Sequence, residues 1–487
     1  MALGWLFVPV YANLLGVEAY GLVGFYTVLL GLLSFLDIGL SGTLNREVAR
    51  LSASGQSASQ CRELVRTIET VFWGISITIA VGIVAGSALI AVRWVTVETL
   101  TVTQVQNAVV LMGLAVSLQL PSAMYLGGLM GLQRQVLSNG IVIAAGLVRG
   151  LGAVAVLVFV SPSIEAYFWW QVAVNAGQVV AIRHALWRAL PVADRPPSFR
   201  PEVLRGVWRY SAGMAGITVL SGVLTQIDKL VVSRTFTLEV LGYYSLASVV
   251  AQVPLLLSRP MTNALFPRMT ELVSANDLSR LVVLYHRSSQ VVAALVLPPA
   301  LLLVAFPGEV VLAWTGDVAT AQQTGRLVAV LVAGSACLAL TTVPHVLTLA
   351  SGWTDLSLKI GLAGAAATVP VLMLLVDRIG VVGACVAWML LNGLSLPAYI
   401  AMLHRRLPLG SPWHWYVADV LPPALVSGAF LGLAKWLVPP PSSRLELIIW
   451  IVGLAGLALL GSALSSSETR RLAAGFASGL GVIGRAL

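Results

Sequence analysis

The sequence predicts an all-α polytopic membrane protein with about fourteen transmembrane helices, and three observations lead to this fold class. Of the 487 residues, 58% are hydrophobic and only 10% are charged, whereas soluble domains are about one quarter charged. The mean hydropathy of the chain is +0.90. Its apolar runs are about 20 residues long and do not alternate with polar residues, which favours membrane helices over a membrane β-barrel.

The predicted helices follow one another with short connections that leave no room for a folded extramembrane domain. We place the spans near 1–15, 20–44, 68–92, 106–130, 136–160, 165–189, 208–233, 242–265, 287–313, 324–350, 356–377, 380–403, 415–438 and 445–464. The first is short, since Ala2 to Leu15 extend only about 21 Å at 1.5 Å per residue, against a hydrocarbon core of about 30 Å. It has no basic leader, so we expect no cleavable signal peptide.

Basic residues predict the orientation of the spans. Most of the 29 Lys and Arg residues lie in loops on one side, from Arg46 and Arg50 after the second span to Arg470 and Arg471 after the last. The positive-inside rule makes this side cytoplasmic and places both termini there. We therefore attribute the net charge of +9 to membrane orientation, and expect no nucleic-acid partner.

An internal repeat predicts the domain organisation. The segment "GVEAYGL" at 16–22 aligns with "TLEVLGYY" at 237–244, which matches Glu18 with Glu239 and Gly21 with Gly242 at an offset of 221. The match relates spans that run in the same direction, so the repeat is parallel. The expected domains are an N-terminal six-helix lobe at 1–190, a cytoplasmic linker at 191–207, a C-terminal six-helix lobe at 208–404, two additional helices at 405–464 and a cytoplasmic tail at 465–487.

Charged residues inside the predicted spans are the candidates for a functional site, and they are Asp37, Arg149, Asp228, Lys229 and Arg259. A charge near the bilayer centre costs about 3 kcal/mol on insertion scales, so such residues usually face a cavity or each other. At an offset of 222, Asp37 falls opposite Arg259. One hypothesis is that these two residues pair, or alternate, at a gate; a static structural pair, or no contact at all, is the favoured alternative.

Several segments, taken in order, carry a family resemblance. They are "LLGVEAYGL", "FLDIGLSGTLNREVAR", "GLQRQ", "QIDKLVVS", "LGYYSLA" and "LFPRMTEL". Together they resemble the polysaccharide and O-antigen flippase family of the multidrug/oligosaccharidyl-lipid/polysaccharide exporter superfamily, over most of the chain up to about residue 400. The matching positions are Gly21, Asp37, Gly39, Arg46, Asp228, Gly242, Pro267 and Arg268. The family usually has a longer first helix with a basic leader, and this chain departs from it there.

The resemblance implies the function of the chain. It implies two six-helix lobes around a central cavity, with alternating access that moves a polyprenyl-pyrophosphate-linked oligosaccharide from the inner to the outer leaflet of the plasma membrane. The partners are then membrane lipid and the glycan lipid, with glycan-assembly proteins as further candidates. We expect no cofactor and no metal site.

Arginine suits such a substrate, because its planar guanidinium donates two parallel hydrogen bonds to a phosphate. Arg149 is the first candidate, about 13 residues or roughly 20 Å into the fifth span, with a salt bridge to a neighbouring helix as the alternative. Arg259 is the second candidate. Lys229 adjoins Asp228, which favours local neutralisation over substrate binding, and Arg46 suits a lipid-headgroup anchor better than a ligand role.

The driving force has two open explanations. The first is the membrane potential, because moving one negative charge out of an electrically negative interior gains about 2.3 kcal/mol per 100 mV. A pyrophosphate diester carries about two negative charges, so the gain is about twice as large. The alternative is proton coupling through Asp37 or Asp228, for which burial of the carboxyl group would be the physical basis.

Two other functions compete with this interpretation. A cation-coupled multidrug exporter of the same superfamily would favour an apolar cavity with few arginines, and Arg149 and Arg259 argue against it. A membrane glycan polymerase or ligase would need a sizeable extracytoplasmic loop, and the outward loops are short. The sequence contains no HExxH, GxSxG or Walker A pattern, so we expect a transporter and not an enzyme.

Overall fold

The computed structural model describes residues 2–34, 40–53, 58–193, 196–202, 226–465 and 470. Over these residues the regular structure is helical, apart from one isolated β-bridge between Thr96 and Thr237, so the predicted all-α polytopic fold is confirmed. By length and composition, the described residues contain eight helices able to cross a membrane, or nine if one bent pair is a single span. The chain forms two compact units, residues 1–245 and 246–487.

The first unit contains α1 to α9 and the part of α10 up to residue 245. They are α1 (Ala2–Leu15), α2 (Val17–Ser34), α3 (Leu40–Ala53), α4 (Ala58–Leu89, continued by a π-helical turn at Ile90–Trp94), α5 (Val102–Ser117), α6 (Gln119–Gly131), α7 (Gln135–Phe159), α8 (Ile164–Ala189), α9 (226–235) and α10 (Leu238–Val250). Its largest described core joins α3, α4, α6 and α8 around residues such as Phe72, Met124 and Ile182. The span predicted at 20–44 corresponds to α2 and α3, on either side of residues that lie outside the described chain.

The second unit contains the remaining helices. They are α11 (Val253–Ser274), α12 (Leu278–Ala305), α13 (Pro307–Thr315), α14 (Val318–Leu340), α15 (Thr342–Ala350), α16 (Thr354–Ile379), α17 (Val381–Arg406), α18 (Pro412–His414, continued by a π-helical turn at Trp415–Val420), α19 (Leu421–Leu437) and α20 (Arg444–Ser465). One core joins α11, α12, α14, α15 and α17 to Trp415, and a smaller one packs α12 against α19 and α20.

Proline and capping residues explain several helix boundaries. The span predicted at 287–313 is in fact two helices, because Pro307 lacks a backbone donor and starts α13 after Phe306. Pro254 stands in the first turn of α11, beside the 42° bend that separates this helix from α10. Helix α12, in contrast, continues through Pro298 and Pro299.

Large apolar side chains cover much of the surface of both units. Phe159 and Val136 in the first unit are 84% and 89% exposed, and Trp436 in the second is 82% exposed. A protein surrounded by water rarely leaves so many large apolar groups uncovered. This surface therefore fits a chain whose helices are solvated by lipid.

Candidate substrate site

Arg149 is hydrogen-bonded to two neutral side-chain amides. The residue is half-buried on α7, and its Nη2 donates to Asn175 Oδ1 at 2.8 Å and to Gln178 Oε1 at 2.7 Å, both on α8. Asn175 is itself held in place, because its Nδ2 donates to the carbonyl oxygen of Ala115 on α5 at 2.9 Å. We call Arg149, Asn175 and Gln178 the amide cradle.

The charge of the amide cradle is not neutralised by any carboxylate that the structure describes. Among those residues, no Asp or Glu oxygen lies within ion-pair distance of Arg149, and the hydrogen bonds that it makes to α8 go to the two amide oxygens. A guanidinium has five N–H donors, and the described contacts use Nη2 alone. The other donors of this partly desolvated cation therefore retain the capacity to bind an anion.

Aromatic residues pack beside the cradle and fix the backbone around it. The hydroxyl of Tyr11 donates to the carbonyl oxygen of Gly150 at 3.0 Å, which ties α1 to α7 next to Arg149. Tyr11 also contacts the ring of Tyr167 edge-on, and Tyr26 contacts the ring of Phe168 in the same way. Aromatic side chains of α1, α2 and α8 thus pack together beside the cradle.

Helices α2 and α10 cross closely through glycines. A methyl group on Gly21 would overlap the carbonyl oxygen of Leu238, and one on Gly242 would overlap the carbonyl oxygen of Val17. The contact is reciprocal, because Val17 and Leu238 are separated by the same 221 residues as Gly21 and Gly242. The repeat found in the sequence therefore corresponds to a local two-fold-like contact, which we call the glycine crossing.

A loop seals the same end of the first unit. The carboxylate of Glu18 on α2 accepts backbone N–H groups of Glu98 at 2.6 Å and Thr99 at 2.8 Å, and also the Thr99 hydroxyl. The backbone N–H of Leu238 donates to the carbonyl oxygen of Thr96 at 3.0 Å. The α4–α5 loop thus bonds to α2 on one side and to the start of α10 on the other.

The indole of Trp94 adds a further connection at this end. Its Nε1 donates to Ser233 Oγ at 3.2 Å, and the guanidinium of Arg234 lies 5.9 Å from the centre of the indole ring. We call these contacts, together with those of Glu18 and Leu238, the loop seal. The sequence places the α1–α2, α4–α5 and α9–α10 connections on one predicted side of the membrane, and here they meet.

A buried carboxylate connects three helices within the first unit. Glu69 on α4 is 3% exposed, and its Oε1 accepts the Tyr125 hydroxyl of α6 at 2.6 Å and Arg183 Nε of α8 at 2.7 Å. Its other oxygen accepts Arg66 Nη1 at 3.0 Å. Since Trp73 Nε1 also donates to the Tyr125 oxygen at 3.0 Å, the network is closed and well satisfied. We call it the Glu69 network.

The other residues predicted for the site lie in different surroundings. Arg46 is exposed on α3, with its Nε 3.9 Å from Glu47 Oε1. Arg259 is exposed on α11 of the second unit. Asp228 accepts the Tyr244 hydroxyl at 2.5 Å, and no ion pair to the adjacent Lys229 occurs among the described residues, as expected for neighbours that point to different sides of a helix.

One predicted residue is outside the described part of the chain. Asp37 belongs to residues 35–39, so its expected pairing with Arg259 stays a prediction. The cytoplasmic tail predicted at 465–487 also lies, apart from residues 465 and 470, outside the described residues.

The partners that define the cradle and the Glu69 network were not predicted from the sequence. A signal for the cradle was present, because Gln171, Asn175 and Gln178 recur at a spacing of four and three residues on the sixth span, which places them on one face of a helix. No comparable signal marks Glu69, since its partners Tyr125 and Arg183 are 56 and 114 residues away in the sequence.

The fold is shared with solved membrane transporters. The structure of the lipid II flippase MurJ in an inward closed conformation has a TM-score of 0.72 at 12% identity, and the match covers 95% of this chain and 96% of that one. A multidrug resistance MATE family transporter of the MOP superfamily, in its inward-facing conformation, has a TM-score of 0.67 at 12% identity, covering 83% of this chain and 94% of that one. At such identities the similarity establishes the fold alone.

A third structure, a complex of the MATE multidrug transporter DinF-BH, is similar with a TM-score of 0.59 at 13% identity, covering 83% of this chain and 92% of that one. No curated protein sequence matches the chain significantly. The family model described as polysaccharide biosynthesis protein matches residues 10–318, which is more than half of the chain. The chain therefore belongs to the polysaccharide biosynthesis protein family.

Proposed function

We propose that the protein flips a polyprenyl-pyrophosphate-linked oligosaccharide from the inner to the outer leaflet of the plasma membrane by alternating access. Membership of a polysaccharide biosynthesis family supports the glycan. The fold, which is that of flippases and transporters, supports movement across a membrane without a chemical reaction. One of the structural relatives is a lipid II flippase, which supports a lipid-linked cargo for this fold.

The observation that carries the proposal is the amide cradle. A pyrophosphate needs a cation that is held in place without being neutralised, and Arg149 meets both conditions among the described residues. Asn175 and Gln178 orient the guanidinium through Nη2, so Nε and Nη1 are the groups that bind phosphate oxygens. Arg46, Lys229 and Arg259 are further candidate ligands, and Asp37 and Asp228 are candidates for gating or coupling.

The glycine crossing and the loop seal give alternating access a physical gate. With the topology read from the basic residues, both lie at the extracytoplasmic end, and both termini are cytoplasmic. A state with this end closed would receive the headgroup from the cytoplasmic leaflet. Release to the other side requires α2 to separate from α10, which breaks a small number of backbone contacts and hydrogen bonds.

The MATE structures favour a second candidate function, which is cation-coupled export of drugs or other small molecules. Such substrates are commonly apolar cations, and the uncompensated charge of Arg149 would repel them. A drug exporter therefore requires an additional carboxylate at the cradle, and the described residues supply none within ion-pair distance.

Deletion of the gene in its own host tests the proposed function. Lipid-linked oligosaccharide should accumulate on the inner leaflet and surface glycan should be lost, and the native gene should restore both. As a control, the deletion strain is given the gene for the Arg326→Gln variant, which lacks an exposed arginine of α14. This variant should restore surface glycan as the native gene does. Normal surface glycan after deletion, in a host that has no second member of the family, would contradict the proposal.

A further inference from the structure

Helix α12 and the π-helical turn after α18 are joined by a buried histidine–aspartate pair that the proposed function does not use. His286 Nδ1 lies 2.5 Å from Asp419 Oδ2, and the side chains are 15% and 0% exposed. The other ring nitrogen, Nε2, lies 3.1 Å from the carbonyl oxygen of Leu409. Gln290 Nε2 donates to Asp419 Oδ1 at 3.0 Å.

These contacts fix the number of protons on the pair. A carbonyl oxygen only accepts hydrogen bonds, so Nε2 of His286 carries a proton. The distance of 2.5 Å between Nδ1 and Oδ2 also requires a proton, because two unprotonated acceptors would repel each other there. The pair therefore holds one proton more than a neutral imidazole beside an ionised carboxylate.

Counted with this proton, the pair as a whole carries no net charge, and Gln290 Nε2 donates to the other Asp419 oxygen, Oδ1. In the described chain, no other carboxylate is within ion-pair distance of His286, and no lysine or arginine is within that distance of Asp419. Removing the proton would therefore leave a single negative charge in a site from which solvent is excluded.

Among the described residues, the titratable side chains whose rings pack around the pair are tyrosines and histidines, and Arg287 is the next residue after His286 on α12. The ring of Tyr285 on α12 and that of His414 on α18 each lie 5.1 Å from the ring of His286. His404 on α17 bonds to the Tyr285 hydroxyl at 3.3 Å, and the ring of Tyr416 packs on Trp415 within the turn. None of these rings supplies a fixed charge that would replace the proton.

We propose that His286 and Asp419 form a proton-binding site that fastens the π-helical turn to α12. While the proton is bound, the ion pair holds Asp419 inward and keeps this turn, Trp415–Val420, packed on the second unit. A π-turn inserts one extra residue into a helix, and such turns are frequent at functional sites. Loss of the proton at alkaline pH leaves Asp419 uncompensated and releases the turn.

Nitrogen-15 NMR of the histidine side chains in the full-length protein tests the site directly. At about pH 8, well above the ordinary histidine pKa of about 6.5, one histidine should have both ring nitrogens protonated. This signal should disappear in His286→Gln, and the exposed His184→Gln should leave it in place. In Asp419→Asn, the same residue should give the signals of a neutral imidazole. A neutral His286 in the native protein at this pH would overturn the proposal.

Thermal unfolding in detergent provides a second test that does not depend on transport. The unfolding temperature of the native protein should fall more steeply with rising alkaline pH than that of Asp419→Asn, which has no buried carboxylate to expose. The double variant His286→Gln/Asp419→Asn should recover most of the stability lost in His286→Gln. Parallel pH profiles, or additive losses in the double variant, would contradict a shared proton.

Discussion

At the scale of single residues, the central feature is an arginine that is held by amides and not by a carboxylate. Arg149 is half-buried, and two oxygens on α8 fix its orientation. Structural arginines in apolar surroundings normally have a carboxylate partner, because an unpaired buried charge is costly. Among the described residues Arg149 has no such partner, and this is the basis on which we propose it as a ligand for the pyrophosphate.

The first prediction concerns Arg149. Arg149→Gln removes the charge and should weaken binding of the lipid-linked pyrophosphate by about 1.5–3 kcal/mol, or about 10- to 150-fold in the dissociation constant. Arg149→Lys keeps the charge without the planar fork and should be intermediate. Binding of the purified glycan lipid in detergent measures the effect. Arg326→Gln is the control, and equal affinities for Arg149→Gln and the native protein would contradict the assignment.

The second prediction concerns the Glu69 network, which we interpret as structural. Glu69→Gln keeps the shape of the side chain but removes the carboxylate. The carboxylate oxygens accept hydrogen bonds from Tyr125, Arg183 and Arg66. We expect a loss of about 2–3 kcal/mol in the free energy of unfolding, less than for a fully buried pair, because both arginines are 46% exposed.

The matched control for Glu69 is Glu271→Gln. Glu271 pairs with Arg268 at 2.6 Å, but its side chain is 64% exposed, so the change should stay within about 0.5 kcal/mol. Chemical unfolding in detergent compares the two variants. Similar losses for both would mean that burial does not strengthen the Glu69 network.

At the scale of elements, the main feature of the first unit is the glycine crossing. Gly21 and Gly242 bring the backbones of α2 and α10 into contact, and no side chain fits between them. The loop seal closes the same end through Glu18, Trp94 and Leu238. This end opens only if both sets of contacts separate together, so a substitution in the crossing should act on the gate and not on substrate affinity.

The third prediction follows from this geometry. Gly21→Ala adds a methyl group that overlaps the Leu238 carbonyl oxygen, so the closed crossing should be destabilised by about 1–3 kcal/mol. The end of the unit should then be more open to a water-soluble thiol reagent. A cysteine introduced at Ser233 measures this accessibility. Gly82→Ala is the control, because a methyl group at Gly82 meets nothing within 4 Å; equal labelling in the two variants would contradict the role of the crossing.

The fourth prediction concerns the start of α14. Hydrogen bonds from the side chain and backbone N–H of Thr320 hold the pKa of the Asp317 carboxyl below its ordinary range. A carboxyl group with a lowered pKa stabilises the fold above its unfolded pKa of about 3.9, and this contribution is lost as the pH falls through the folded value. Asp317→Ala should cost about 1 kcal/mol of unfolding free energy at neutral pH and progressively less in acid. If Asp317→Ala lost as much unfolding free energy in acid as at neutral pH, Asp317 would not act as a charged cap of α14.

The internal repeat is visible in the breaks between helices. Helices α5 and α6 meet at Leu118, three residues before Pro121, and α14 and α15 meet at Thr341, three residues before Pro344. A proline in the first turn of the second helix explains both breaks, since it lacks the backbone donor that a continuous helix needs. Spans that occupy the same place in the repeat are thus interrupted in the same way.

At the scale of the whole molecule, hydropathy is what the sequence predicts well. Long apolar runs identify the helices because lipid forces the backbone to satisfy its own hydrogen bonds. The offset of 221 aligns Gly21 with Gly242 on the pattern of residues alone, and the two residues do meet in the fold. The partners of Arg149 and Glu69 were not predictable in the same way, because they depend on which faces of distant helices pack together.

The π-helical turns and the division of long spans into two helices are further features that the sequence does not predict. A turn such as Trp415–Val420 differs from an α-helix by one inserted residue, which leaves the hydrophobic pattern almost unchanged. The histidine–aspartate pair of this turn could not be predicted either, since His286 and Asp419 are 133 residues apart. Periodicity therefore locates helices but not the polar contacts between them.

Flipping by the purified protein in liposomes is the decisive measurement for the proposed transport. Native protein should speed the transbilayer movement of a polyprenyl-pyrophosphate oligosaccharide, whose headgroup is followed by its accessibility to an external lectin. For outward movement from an electrically negative interior, the equilibrium should shift by about 4.6 kcal/mol per 100 mV if two charges cross uncompensated. A neutral glycolipid of the same length should move more slowly. Folded protein that leaves the rate equal to that of protein-free liposomes would contradict the proposed function.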